Sequence, residues 1–269
     1  MFNFARLCWA FARRDFANLV SYRLQLLLGV ASLLFYLLIF FFVSAAFSGM
    51  GARYLARYGG AYFPFVVVGL AFQGLVAAGL GGFSQVISSE QYLGTLEPML
   101  GRRISAFRVL AAASVSRYFF SAGRLVALLA AAVAIFGMPF RAEGLPAFLG
   151  ALVLTVAVYF GLGMLSAGFV LAFKQGNPVN LFFGQLGIIL SGVFFPVEVL
   201  PRWLRAVGAA IPLTYGLDIA RDALLAGSAP APRSWWALAI FAAGALAAGG
   251  LTFRWALGRA KRDGSLSQY

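Results

Sequence analysis

The chain has no histidine, one cysteine (Cys8), two lysines (Lys174 and Lys261) and only eight acidic residues in 269. Without imidazole there is no His-based acid–base chemistry, and a single thiol excludes an intrachain disulfide and any His/Cys metal centre. Neither lysine follows a G-x-x-x-x-G-K-[ST] phosphate loop, so the chain is not expected to bind or hydrolyse ATP itself. The apolar runs hold scattered Ser and Thr but no paired carboxylates, which argues against an intramembrane protease or lipid transferase. They also lack the several deep ionisable residues that a secondary transporter or channel normally carries. No metal and no cofactor is expected on this chain.

What is abundant is apolar surface. Hydrophobic residues make up 62% of the chain and the mean hydropathy is +0.89. Lipid requires every backbone polar group to be satisfied internally, so such a chain spans as helices or as a closed barrel. Its long unbroken runs, with little alternation, select helices. Six runs are long enough to cross: Leu24–Phe47, Tyr62–Ile87, Tyr118–Met138, Leu145–Phe173, Val179–Val197 and Trp235–Phe253. The fold class is therefore all-α integral membrane, a single transmembrane domain over residues 1–269.

The segment 1–23 does not read as a secretory signal, because its basic residues are dispersed and no short apolar core with a cleavage site follows. As a helix, Met1–Phe16 places Asn3, Arg6, Arg13 and Arg14 on one side and most of its aromatic residues on the other faces. An interfacial amphipathic helix is expected there. The formal charge of +13 fits arginines facing anionic head groups better than nucleic acid, which is not expected as a partner.

With six spans, thirteen basic residues fall on the side holding both termini and seven on the other, with Arg124 inside a span. The bias places both termini in the cytoplasm of a multi-pass plasma (inner) membrane protein. Arg117 and Arg124 share a helix face at the start of the third span. They are candidates for contact with an anionic substrate or head group, although snorkelling to the cytoplasmic interface is the simpler reading.

Two polar stretches interrupt the apolar pattern. The first, within residues 88–104, runs from Glu90 through Gly94, Thr95, Leu96 and Glu97, then meets Arg102 and Arg103. The second, residues 196–233, is too polar for a clean span and too apolar for a plain loop. It contains Pro196, Pro201, Trp203, Pro212, Tyr215, Asp218 and Arg221. Asp218, Arg221 and Asp222 are spaced for local ion pairing on one helix, and a helical hairpin dipping into the outer leaflet is expected.

Taken in order, these stretches resemble the permease subunits of ABC transporters, in the class of polysaccharide, drug and lipid exporters (type V exporters). Glu90 followed by Gly94-Thr95-Leu96-Glu97 is similar to that family's coupling helix. The run Ser191 to Pro196, then Leu200 to Leu204, then Ile211 to Asp218 and Arg221, resembles its fifth span and re-entrant outer helices. The resemblance extends along essentially the whole chain. One departure is Pro98, which precedes the usual position of a proline turn and would end the coupling helix near Leu96.

The resemblance implies a separate ABC ATPase subunit supplying ATP and Mg, and a second permease copy or homologue completing the pathway, within membrane lipids. Glu90 and Glu97 would then be polar contacts to the ATPase, with Gly94 allowing close approach. A membrane scaffold or channel without ATP coupling is the alternative.

Overall fold

The computed structural model describes residues 4–46, 52–92, 106–173 and 177–262, and every described element is helical. α1 is Phe4–Ser21, α2 Arg23–Ala46, α3 Tyr62–Tyr92, α4 Ala106–Phe136 and α5 Leu145–Phe173. α6 is the short helix Asn180–Leu190. α7 is Arg202–Ala209, α8 Pro212–Arg221 and α9 Pro232–Arg262.

Among the described residues, α2, α3, α4, α5 and α9 are long and apolar enough to cross a membrane. The six spans expected from the sequence are therefore five by length. The fifth run, expected as Val179–Val197, stops early as a helix. Its first seven residues, Asn180–Leu186, are π-wound, and the helix gives way after Leu190 to a turn. Gly192 in that turn has φ +86°, a left-handed conformation that side chains rarely adopt, and Pro196 follows.

Packing partners give each helix a direction. The Phe63 amide donates to the Ser44 hydroxyl, so α2 and α3 meet at one end as a hairpin. Gly74 pairs with Ser121 and Gly82 abuts Ser114, so α4 runs back along α3. Gly150 lies against Trp235, Gly161 against Ala245 and Gly168 against Thr252, a near-constant offset that makes α5 and α9 parallel.

Two parallel helices need a return path between them. α6 supplies it, running antiparallel to α3, with Gly184 beside Leu80 and the Val193 carbonyl beside Gly69. Six helices thus alternate in direction, although among the described residues only five of them have spanning length.

Close approach is what makes these seams possible. A Cβ on Gly163 would collide with the Gly79 carbonyl oxygen, and one on Gly249 with the Gly161 carbonyl. In lipid, where apolar burial between helices gains little, such backbone contact carries much of the association.

The core divides in two. The larger cluster centres on Phe65, Phe72, Leu75, Tyr159 and Leu217. A smaller one joins Phe83, Val86, Leu110, Met164, Leu171 and Phe253, with Phe11 of α1 packed on it. The second cluster therefore gathers α1 and the adjoining ends of α3, α4, α5 and α9. We refer to this as the α1 end, and to the opposite one as the far end. α2 is the least enclosed span, burying only Leu33 and Leu37.

Candidate functional site

At the far end, residues 196–226 fold into a compact cap. Pro196 and Pro201 are extended, bracketing a 3₁₀ turn at Val197–Val199. Pro201 precedes α7, and Pro212 sits in the first turn of α8, where its missing N–H costs nothing. Arg205 donates to the Glu198 carbonyl at 2.7 Å and the Leu200 carbonyl at 3.2 Å, closing the turn. The Thr214 hydroxyl donates to Gly208 O at 2.9 Å and the Tyr215 hydroxyl to Ala209 O at 2.8 Å, folding α8 back on α7. Trp203 stays 68% exposed, an amphipathic ring suited to a membrane–water boundary.

α8 buries Leu213, Gly216, Leu217, Ile219, Ala220 and Arg221. Arg221 is the centre of the cap at 2% exposure. Its guanidinium donates to Phe65 O at 3.1 and 3.2 Å, Gly192 O at 2.9 Å and Val193 O at 3.3 Å. It also lies 3.5 Å from the Phe65 ring centroid. One side chain thus ties α8, the turn after α6 and the first turn of α3. Burial draws its pKa down to about 10, so it remains charged at neutral pH.

The local ion pairing expected among Asp218, Arg221 and Asp222 gives way to long-range contacts. Arg221 spends its donors on backbone carbonyls of the turn at Gly192 and of the first turn of α3. Asp222 pairs instead with Arg57, 165 residues away. Asp218 is held mainly by burial, which raises its pKa to about 6, partly offset by Arg221 and Arg57. Sequence reading overlooked Arg57 and Phe65. The only available signal was charge: a basic residue in an outer loop that needed one of few acidic partners.

At the α1 end, Glu90 lies in the last turn of α3, while Gly94, Thr95, Leu96 and Glu97 fall outside the described residues. α1 has no buried residue and meets the bundle along the first half of α4. The Ser116 hydroxyl donates to Asp15 Oδ2 at 2.8 Å, and Phe11 contributes to the small cluster. Arg117 donates to Gly81 O at 3.2 Å and Gln85 Oε1 at 2.6 Å, joining α4 to α3.

α4 begins at Ala106, twelve residues before the expected third span, because Arg108 and Arg117 are accommodated within the helix. Arg124 therefore lies near the middle of the span Phe107–Phe136, not at its start.

The arrangement is a helical membrane bundle with a stapled cap at one end and converging helix termini at the other. A family model described as ABC-2 type transporter matches residues 6–225, which include α1 and the cap. The chain is 29% identical over 155 residues to proteins named probable multidrug ABC transporter permease YbhS, from Escherichia coli strain K12 and from Escherichia coli O157:H7. The match covers 55% of this chain and 39% of each relative, so the chain spans well under half the length of those relatives. With the family model extending over most of its length, this chain belongs to the ABC-2 type transporter family.

Proposed function

We propose that this chain is the membrane permease subunit of an ATP-driven ABC exporter of the type V class, working as a dimer and coupled to a separate ATPase subunit. ATP and Mg would be held by that partner. The observation that carries the reading is the family match over residues 6–225, set beside the convergence of α1 and four helix ends in one cluster.

A soluble ATPase requires a face where its closure can reach several helices at once. The α1 end offers it. Glu90 falls in the last turn of α3 at that end and Glu97 follows it in the sequence, and on this reading both carboxylates contact the partner. The positive-inside bias supports the same orientation, with this end in the cytoplasm and the cap outside. The relatives are named multidrug permeases, which supports a drug as substrate, and export is the direction that the family resemblance implies.

Motion is transmitted only if the partner contacts differ between its open and closed states. Pushing on α1 and on the end of α3 would tilt these helices about the far end, where Arg221 holds the outer contacts fixed.

The test is co-purification. Tagged protein, gently solubilised from its native membrane, is expected to bring down a stoichiometric ATP-binding subunit. Reproducible absence of such a subunit across mild detergents and nanodiscs would overturn the reading and favour a scaffold or channel.

A further inference from the structure

Arg124 stands within one helical turn of the midpoint of the span Phe107–Phe136. Among the described residues it makes no hydrogen bond and no ion pair, in contrast to Arg117 seven residues before it. An unpaired charge along an apolar membrane helix is costly, and such residues are functional candidates by default. Here there is a cavity. It holds about 250 Å³ between α2, α3 and α4, walled by Leu33 and Tyr36, Gln73 and Gly74, and Ser121 and Arg124.

The wall chemistry is selective. Arg124 brings a permanent positive charge with donors in a planar fork. Gln73 adds an amide, and Tyr36 and Ser121 add hydroxyls. The Ser121 hydroxyl is engaged with Gly74 O at 3.3 Å, which pins α4 to α3 at the cavity floor. A Cβ on Gly74 would meet nothing within 4 Å, so the space beside it is open. The remaining walls are apolar, and α2 buries only Leu33 and Leu37. The volume is smaller than a drug-sized pocket of about 300–1,000 Å³, so it suits a head group while a tail remains in the lipid.

We propose that this crevice binds the acidic head group, phosphate or carboxylate, of an anionic amphiphile entering from the bilayer. Arg124 is the primary contact, with Gln73 beside it, and the tail lies along α2. Binding here belongs to this chain alone and does not depend on the transport reading or on an ATPase.

The experiment uses the full chain in phosphatidylcholine nanodiscs, with three acyl-spin-labelled probes: phosphatidylglycerol, ionised stearic acid and phosphatidylcholine. The fraction of probe held motionless is read by electron paramagnetic resonance. The wild-type chain is expected to prefer acidic probes over phosphatidylcholine by about tenfold. Arg124→Gln should remove the preference, Arg124→Lys should keep most of it, and exposed Arg254→Gln should leave it unchanged. Gly74→Phe, which fills the cavity and keeps the guanidinium, should also remove it.

Preference for phosphatidylglycerol alone identifies a bilayer lipid as the ligand, and for stearate alone a free amphiphile. Unchanged preference in Gly74→Phe, or in Arg124→Gln, overturns the proposal. Should Arg124→Gln fail to accumulate, the Gly74→Phe chain decides. Loss of ATPase capture, by contrast, would bear on the permease reading and not on this site.

Discussion

The two ends of the bundle are held together by different forces. At the far end a buried guanidinium, a long-range ion pair and two hydroxyl-to-carbonyl bonds weave α3, the turn after α6, α7 and α8 into one cap. At the α1 end, helix termini meet mainly through aromatic and aliphatic contacts, with Arg117 bonding α4 to α3 and a single hydroxyl–carboxylate bond tying α4 to α1, a helix with no fully buried residue. Directional bonds fix a geometry, whereas apolar contact tolerates sliding. The cap is therefore the rigid end and the α1 end the adaptable one, which is where a partner's force can be received.

The largest effect should come from breaking the staple. Arg221→Leu removes the guanidinium donor from three buried carbonyls and its charge from Asp218, and should destabilise by about 3–5 kcal/mol. Thermal unfolding in mild detergent checks it, with the folded yield as a second readout. A variant as stable as wild type would mean that the cap is not locked by this residue.

Next, Glu90→Ala combined with Glu97→Ala should leave thermal stability unchanged and weaken ATPase capture by about tenfold, roughly 1.4 kcal/mol. Wild-type affinity in the double variant would remove both carboxylates from the coupling surface. A smaller effect is expected for the ion pair at the cap. Arg57 is about half exposed while Asp222 is buried, so solvent screens the pair from one side. A double-mutant cycle on Arg57→Gln and Asp222→Asn should give a coupling of about 1 kcal/mol.

The smallest effect sharpens the contrast from the other end. Asp15→Asn should cost about 0.5 kcal/mol, since the Ser116 hydroxyl keeps an acceptor there. A loss as large as that of Arg221→Leu would mean that the α1 end is locked too.

How much of this was legible in the sequence depended on what fixed each feature. α5 matches its apolar run from Leu145 to Phe173 because composition alone sets it, with Lys174 next in the chain. α2 and the start of α3 follow for the same reason. α4 began earlier than expected, since Arg108 and Arg117 do not break a helix when their stems lie along it and Arg117 finds acceptors on α3. The sixth run was called a span by hydropathy and is one, whereas the fifth has the same hydropathy and is not long enough. What differs is the turn at Gly192 and the π winding before it, and neither has a periodic signature. Spacing and the resemblance both point to Arg221 but not to its partners: carbonyls of Phe65, Gly192 and Val193 are set by tertiary approach, which no local spacing encodes.

The parallel seam between α5 and α9 has a consequence for biogenesis. α9 begins only at Pro232, so α5 enters the bilayer with the small-residue groove around Gly161 and Gly168 unfilled. At about 5–20 residues per second, translation needs several seconds more to deliver the helix that fills it. Through that interval the nascent chain exposes backbone meant for a helix not yet made, and its longest helix seam closes last. Maturation is thereby timed by the ribosome, and chains released before α9 present an open groove that membrane quality control could read.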